Sequence, residues 1–334
     1  MSSQRNGILA GGNFITDYVK LIDAWPEQDT LASIRSESMS NGGGPYNILK
    51  DLACLQPELP LEACGLVGED ANGQWIVDDC EAHKIDVKQL HRTSEAATSY
   101  TDAMTVASTG RRTFFHQRGA NALLSPSHFD FSTSNARVFC LGFLMLLDSL
   151  DVLEEDGETG ASQILKAAGK AGLITAVDCV STPNSQFREI VLASLRQADV
   201  LFINEFEIGQ VLGREVKADR VSLESAAREL ENLGGAQIVV HCASGAVVAD
   251  ASGIIGAQGS LSLPGDFVAG ASGAGDAFAA GYLLGVHDGK EVKDCLLYAV
   301  ASAAQSLSHA SPSGGMTSLS ECLALANRVG FRSF

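Results

Sequence analysis

The stretch VAGASGAGDAFAAG at residues 268–281 holds a single carboxylate, Asp276, directly after Gly-Ala-Gly. Helix-forming apolar residues follow it, so a buried helix is predicted to begin near residue 276. The first backbone N–H groups of a helix lack intrahelical partners and carry the positive end of its dipole. Gly273 and Gly275 would let a phosphoryl group approach these N–H groups. Asp276 would then either accept the proton of an attacking hydroxyl or act as an ordinary helix N-cap, and this stretch alone does not separate the two.

The common nucleotide motifs do not account for this stretch. A dinucleotide fingerprint requires G-x-G-x-x-G with an acidic residue about 20 positions later. The spacing here is G-x-x-G-x-G, and Leu296 and Leu297 lie where the acid should be. The sequence also contains no G-x-x-x-x-G-K-[ST] phosphate loop. These observations exclude both motifs.

Two further stretches carry groups that can bind a polyol. In NGGGPYN at residues 41–47, glycines allow a ligand to rest on the backbone, and Asn47 offers both a donor and an acceptor. In GGNFITDYV, Asn13 and Asp17 follow the first predicted strand, where an amide and a carboxylate can bind vicinal hydroxyls. The alternatives are a tight turn before a helix for the first stretch and a capped loop for the second.

The stretch FINEFEIGQVLG places Asn204 and Glu207 three residues apart after a predicted strand. Oxygen ligands at positions i and i+3 of a helical turn share one face. Mg²⁺ prefers such ligands, often through water and alongside substrate phosphates. A helix capping box would produce the same spacing, so both interpretations stay open.

Composition excludes several classes of protein. The 334 residues are 46% hydrophobic and carry a formal net charge of −17, which disfavours binding to nucleic acid or to an anionic membrane. No apolar run approaches the ~20 residues that a membrane span needs, and the N-terminus lacks the apolar core of a signal peptide. The eight cysteines are dispersed without C-x-x-C spacing, so we expect reduced, buried thiols and a cytoplasmic location.

Strand and helix patterns alternate along the chain, which favours a mainly parallel α/β sheet covered on both faces. Predicted strands are 7–15, 62–68, 137–144, 173–180, 199–204 and 236–243, and predicted helices include 161–171, 186–197 and 222–233. Ligands of such sheets bind at the carboxyl ends of the strands. Residues 30–40 and 98–117, the latter around a Thr109-Gly110 turn, are half-polar strands that we place outside the main sheet as a small flap; a decorative edge hairpin is the alternative. We expect one domain over 1–334.

In this order, the stretches GGNFITD, GGGPYN, GLVGEDANG, RRTFFHQRGAN, INEFE and GAGDAFAAG resemble the ribokinase-like (PfkB-type) carbohydrate kinase family over nearly the whole chain. The resemblance implies a three-layer α/β/α sandwich with a β lid and an ATP- and Mg²⁺-dependent transfer of phosphate to a hydroxymethyl group of a sugar. By the same resemblance, Asp276 is the catalytic base and Gly273, Ala274 and Gly275 form the anion hole. The implied acceptor-binding residues are Asn13, Asp17, Gly42, Gly43, Asn47 and, in the lid, Arg118. Asn204, Ser244 and Gly245 would contact ATP, and Asn204 and Glu207 would organise Mg²⁺ through water.

The chain departs from the family pattern at one point. Where the family commonly has Asp-Thr ahead of Gly-Ala-Gly-Asp, contributing to a monovalent-cation site in many members, this chain has Gly270 and Ala271. Neither has a side-chain ligand, so we do not expect conventional potassium activation.

Three further expectations concern the activity, the class of protein and the oligomeric state. A nucleoside kinase of the same family is the alternative activity. A non-catalytic sugar-binding homologue is the alternative class, although Asp276 and Gly-Ala-Gly are intact. The resemblance also implies a possible homodimer formed through the lid strands.

Overall fold

The computed structural model describes residues 5–334, and within them nine strands form a central sheet with the order β13-β12-β11-β10-β9-β8-β1-β4-β5. Seven of these strands, from β5 to β11 in that order, pair in parallel, and β12 and β13 add an antiparallel edge. The strands are β1 Ile8–Gly12, β4 Leu61–Gly68, β5 Ile85–Thr93, β8 Val138–Leu144, β9 Ile174–Cys179, β10 Val200–Asn204, β11 Gln237–Cys242, β12 Gly245–Asp250 and β13 Gly253–Gly259.

Helices cover both faces of this sheet and give it the three layers expected of an α/β/α sandwich. One layer contains α1 Gly44–Leu55, α2 Ala71–Ala82, α7 Ala274–His287, α8 Val292–Ser306 and α9 Leu319–Val329, and the other contains α3 Gly160–Lys170, α4 Phe187–Leu195, α5 Glu205–Leu212 and α6 Arg220–Gly234. Because both faces are covered, the inner strands are buried almost throughout, as in VFCLGFL of β8. Each fully buried Leu, Ile or Phe contributes about 1.5–3 kcal/mol to this core.

A second sheet of four strands, which we call the lid, has the order β3-β2-β6-β7 in the described part of the chain. Its strands are β2 Ile15–Ile22, β3 Ile34–Gly42, β6 Tyr100–Val106 and β7 Arg112–Gln117. The sequence predicted three of them. The prediction of a single strand over 7–15 is wrong and overlooks the fourth lid strand, β2. β1 ends at Gly12, and Asp17 lies inside β2 rather than in a loop.

Two other features bear on the expectations from composition. No helix within residues 5–334 is long and apolar enough to cross a membrane. All eight cysteines lie in this range and are free thiols, six of them buried.

Candidate active site

Asp276 is the third residue of α7, so the alternative that it acts as an ordinary N-cap is wrong. The N-cap is Gly273, whose φ of 77° is left-handed and which makes no side-chain capping hydrogen bond. A Cβ on Gly273 would lie 2.7 Å from Cα of Pro312, so only glycine fits there. The first N–H groups of α7 therefore have no side-chain capping partner, and their binding of an anion stays a prediction.

The two carboxylate oxygens of Asp276 have different environments. Oδ2 accepts a hydrogen bond of 2.8 Å from Nδ2 of Asn47, whereas Oδ1 is buried without a partner. Burial raises the pKa of Asp276 to about 7, and the hydrogen bond from Asn47 opposes this shift. The side chain thus presents one free oxygen whose proton affinity suits a general base near neutral pH.

A buried polar network fixes the orientation of Asn47. Nδ2 of Asn41 donates to Oδ1 of Asn47 at 2.7 Å and to Oγ of Ser313 at 3.0 Å. The amide group of Asn47 must therefore point its NH₂ toward Asp276. Sequence reasoning did not identify Asn41 or Ser313; Asn41 begins the quoted NGGGPYN stretch, but Ser313 carries no local signal.

Asp17 lies against the glycine cluster from the lid side. Its carboxylate packs so closely on Gly42 that a Cβ at that position would overlap Oδ1. Burial raises the pKa of Asp17 to about 7, and the negative charge of Asp276 adds to the shift. The two carboxyl groups are therefore close enough to interact electrostatically where the lid meets the body of the protein.

Asn13 is fully buried, and its amide is engaged by the backbone of the turn that follows β8. Nδ2 donates to the carbonyl of Leu146 at 3.0 Å, and Oδ1 accepts from the N–H of Phe143. Gly43, at φ 86°, passes directly over the Asn13 carbonyl, where a Cβ would overlap that oxygen. Asn13 therefore shapes the wall beside the glycine cluster through its backbone contacts.

Arg118 reaches the same turn from the end of β7. Its Nη1 donates to the carbonyl of Met145 at 3.0 Å and pairs with Asp148 at 3.1 Å. The guanidinium is partly exposed and compensated by this carboxylate. In this arrangement Arg118 joins the lid to the turn after β8.

Asn204 and Glu207 realise the capping-box interpretation of their spacing, and their role toward Mg²⁺ stays a prediction. They form a capping box at the start of α5, in which Oε2 of Glu207 accepts from the Asn204 N–H at 2.9 Å and Oδ1 of Asn204 accepts from the Glu207 N–H at 2.9 Å. Ser181 donates to Oε1 of Glu207 at 2.7 Å. Both residues also line a cavity of about 370 Å³ together with residues 273–276. Burial raises the pKa of Glu207 to about 7.

Asp178 is a site residue that sequence reasoning missed. It lies at the carboxyl end of β9, lines the same cavity, and accepts the Cys179 N–H on Oδ1 at 2.8 Å. Burial raises its pKa well above the usual range, and the charges of Asp276 and Glu207 add to this. The signal available in the sequence is an aspartate near the carboxyl end of the predicted strand 173–180, the edge at which ligands of a parallel sheet bind.

The donor set of this cavity is of the oxygen type that suits Mg²⁺. Residues 5–334 contain no group of three or more His, Cys, Asp or Glu side chains able to hold a metal directly. The carboxylates of Asp178 and Glu207, both disfavoured by burial, would be stabilised by a dication. The residues therefore fit an ion that is held largely through water and substrate phosphates.

A second cavity of about 380 Å³, largely apolar, adjoins the first. Its lining includes Gly245, Leu261, Val268, Phe278 and Leu307, and Ala274 and Gly275 line both cavities. Such walls suit a planar base with its phosphates directed at the start of α7.

His241 lies between the two cavities. It stacks on Phe278 with ring centroids 5.1 Å apart, and burial lowers its pKa to about 4, so the ring is neutral. Ser244, in contrast to Gly245, does not line the apolar cavity: its hydroxyl donates to the carbonyl of Ala218 at 2.8 Å, beside a neighbouring depression.

Comparisons with known proteins agree with this architecture. An ATP-dependent ribose-1-phosphate kinase of Halopiger xanaduensis is 27% identical over 298 residues, which cover 89% of this chain and 90% of that protein. The structure of Arabidopsis thaliana ribokinase complexed with ribose and ATP superposes with a TM-score of 0.79 at 21% identity, over 96% of this chain and 98% of the other. A Methanocaldococcus jannaschii nucleoside kinase of the ribokinase family superposes with a TM-score of 0.74 at 17% identity, over 98% and 100% of the two chains.

The family model described as pfkB family carbohydrate kinase matches residues 12–329, a range that includes the glycine cluster, the lid and α7. The ribokinase-like fold predicted from the sequence is confirmed by the structural neighbours. This chain belongs to the pfkB family of carbohydrate kinases.

Proposed function

We propose that this protein transfers the γ-phosphate of ATP to a hydroxymethyl group of a sugar or sugar derivative, with Asp276 as the base. The observation that carries the proposal is the geometry of the Asp276 carboxylate at the start of α7. Its Oδ1 is buried without a hydrogen-bond partner beside the first N–H groups of the helix, and its Oδ2 accepts a hydrogen bond from Asn47. A base and an anion-binding helix terminus are the two groups that in-line phosphoryl transfer requires at one point.

In the proposed reaction, the acceptor hydroxyl oxygen attacks the γ-phosphorus while its proton passes to Oδ1 of Asp276. The bond from the γ-phosphorus to the oxygen bridging it to the β-phosphorus breaks, and ADP leaves with that oxygen. Charge that develops on the transferred group faces the N–H groups of residues 273–275. Asp17 and the backbone at Gly42 and Gly43 bind the acceptor hydroxyls, and the lid excludes water.

Mg²⁺ would be held near Asp178, Asn204 and Glu207, mostly through water, and would neutralise charge on the nucleotide phosphates. The apolar cavity that includes Gly245 would hold the nucleoside part of ATP. Ser244 would act there only indirectly, because its hydroxyl is bound to the Ala218 carbonyl.

The acceptor class is the open part of this proposal. The Halopiger relative is described as acting on ribose 1-phosphate, and the Methanocaldococcus neighbour as a nucleoside kinase. Both acceptors carry a ribose hydroxymethyl group, so the same base and anion hole would serve either. The acceptor panel must therefore include free sugars, ribose 1-phosphate and nucleosides.

The test is coupled ADP release with Mg-ATP across that panel, with Asp276→Asn alongside the wild type. We expect at least one sugar-type acceptor to give turnover, and Asp276→Asn to lower kcat by about 10²–10⁴-fold while ATP binding, measured by calorimetry, is retained. Turnover of nucleosides alone would replace the sugar by a nucleoside. ATP and sugar binding without any ADP formation would contradict the proposal and favour a non-catalytic homologue.

We also propose a cytoplasmic location and a homodimer formed through the lid. Eight free cysteines, most of them buried, support a reducing compartment. Exposed apolar side chains on and beside the lid support the association of two copies of the chain.

A further inference from the structure

The Gly270-Ala271 departure lies where the lid meets the body of the protein. Gly270 precedes α7 and runs beside the loop after α8, where the neighbouring Ala269 N–H donates to the carbonyl of Leu307 at 2.8 Å. A Cβ on Gly270 would lie 3.0 Å from Cα of Ala310, 3.2 Å from the carbonyl oxygen of His309 and 3.1 Å from Nη2 of Arg112. The missing side chain therefore leaves space that a lid guanidinium approaches.

Arg112 begins the lid strand β7, far in sequence from this loop. Its Nη2 donates to the carbonyl of Ala310 at 3.3 Å. The ion pairs of residues 5–334 do not include Arg112, so no carboxylate of the described chain lies within 4 Å of its guanidinium. Ala271, the next residue after Gly270, lines both the apolar cavity and the cavity that holds Asp276. The positive charge of Arg112, which has no ion-pair partner in residues 5–334, thus lies beside the loop at Gly270 and Ala271 that leads into the active site.

These residues do not fit a bound monovalent cation. Such an ion requires several oxygen ligands, and neither Gly270 nor Ala271 has a side-chain oxygen. The carbonyl of Ala310 already accepts from the guanidinium. A second cation close to Arg112 would also be repelled by it.

We propose that the guanidinium of Arg112 takes the place of a monovalent cation, so that closing the lid carries a permanent positive charge to the loop at Gly270. A guanidinium keeps its charge at every working pH and attracts carbonyl oxygens by donating hydrogen bonds, whereas a metal ion would attract them by coordination. The kinase then needs no K⁺, and its activity is coupled to lid closure through one side chain. This inference rests on the proposed kinase activity.

The test compares wild type and Arg112→Ala in buffers whose only monovalent cation is choline or K⁺, with the acceptor found in the ADP-release panel. We expect equal kcat in both buffers for the wild type, and a loss of roughly 10- to 100-fold for Arg112→Ala in choline. Guanidinium ion well below unfolding concentrations is expected to restore part of that loss, whereas K⁺ is not, because Gly270 and Ala271 offer K⁺ no side-chain oxygen. Arg111→Ala is the matched control, because the neighbouring arginine is exposed on the same lid turn without a side-chain bond to the loop.

A second readout does not depend on the acceptor. The thermal midpoint of Arg112→Ala, relative to that of the wild type, is expected to rise when guanidinium at low concentration replaces choline, since only the variant leaves room for a guanidinium ion beside the loop. Three results would overturn the proposal: a wild type that requires K⁺, an Arg112→Ala variant with full activity in choline, or a loss that guanidinium ion does not reverse, which would leave Arg112 with a structural role only. Absence of ADP formation by the wild type in both salts would instead contradict the proposed function, and the thermal measurement would still decide the question of the cation.

Discussion

The asymmetry of the Asp276 carboxylate determines how the activity should depend on pH. Burial raises its pKa to about 7, and only the ionised form can accept the proton of the acceptor. We therefore expect kcat/KM to fall about tenfold per pH unit below pH 7 and to level off above it. The measurement is a pH profile of kcat/KM at saturating Mg-ATP; a profile flat from pH 5 to pH 8 would refute this pKa assignment.

The hydrogen bond from Asn47 lowers the pKa of Asp276 and should be visible in the same profile. Asn47→Leu removes the donor at similar volume, so the acidic limb should move to higher pH and kcat should fall by about tenfold or more. Asn232→Leu, an exposed site on α6, is the control. A lowered kcat with an unmoved limb would mean that Asn47 contributes to acceptor binding alone.

Asp51 is a fully buried carboxyl group of α1 in which neither oxygen has a hydrogen-bond partner. Burial, and secondarily the charge of Asp276, holds its pKa well above the usual range; the nearby Ser313 and Lys50 oppose this shift, and Lys50 is paired with Asp79 at 2.8 Å. A raised folded-state pKa stabilises the protein in acid, and that contribution is lost as pH rises toward the folded pKa.

Asp51→Asn removes this pH-dependent cost. We expect the variant to have a higher free energy of unfolding than the wild type at pH 7 and to match the wild type near pH 4. Denaturant unfolding at the two pH values measures both, with Asp266→Asn at an exposed position as the control. Equal stability of variant and wild type at pH 7 would show that Asp51 titrates normally.

At the level of single elements, the start of α7 contains two glycines with different roles. Gly273 is required by packing, and Gly275 is expected to be required by the ligand. Gly273 has a left-handed φ and lies against Pro312, whereas a Cβ on Gly275 would meet only Cε1 of His241, at 3.7 Å. Gly273→Ala should therefore lower stability by about 1–3 kcal/mol and impair activity as well. Gly275→Ala should leave the thermal midpoint unchanged but weaken ATP binding, because the methyl group enters the phosphate approach.

Thermal unfolding and calorimetry with ATP on the two variants separate these effects. Gly275→Ala with wild-type affinity for ATP and wild-type kcat would remove this glycine from the anion hole. Gly273→Ala with an unchanged thermal midpoint would contradict the packing argument.

The elements also show what could be predicted from the sequence. Periodicity and β-rich composition identified the inner parallel strands, because strands buried on both faces read as continuous apolar runs. β2 was missed, since the break after Gly12 depends on contact with the backbone of Gly142, 130 residues away. β5, β12 and β13 were not predicted either. β5 and β13 are only partly buried, and β12 is a buried run of six residues, GAVVAD, too short to give a strong periodic signal.

The candidate site follows the same division. The types and spacing of Asp276, Gly273 and Glu207 were sufficient to single them out. The direction of a side chain was not readable: Asn47 points at Asp276, and Asn13 at the turn after β8. Ser313 lies in a loop and Arg112 at the start of β7, and the partners of both depend on tertiary packing, so no local pattern marks them.

At the scale of the whole molecule, the lid is the surface most suited to a second copy of the chain. β3 and β7 are the edges of the lid sheet, with no further strand paired to them in residues 5–334. Apolar side chains are exposed on or next to it, with Trp25 stacked on Phe115 at 6.1 Å. These side chains are Trp25, Leu31, Ile34, Met39, Phe114 and Phe115. Open edges and a cluster of exposed apolar groups favour association.

We therefore expect a dimer at micromolar concentration in sedimentation velocity, and a monomer for the double variant Leu31→Asp/Phe114→Asp. Each substitution occurs on both copies of a two-fold interface. The introduced carboxylates would therefore be buried there and would repel one another. Val221→Asp, equally apolar and exposed but on α6, should remain dimeric. If dimerisation also restrains the lid, the double variant will show a raised KM for the acceptor with a smaller change in kcat, because the closed lid is then less populated before binding. A wild type that sediments as a monomer over the whole range would assign these side chains to another partner or to none.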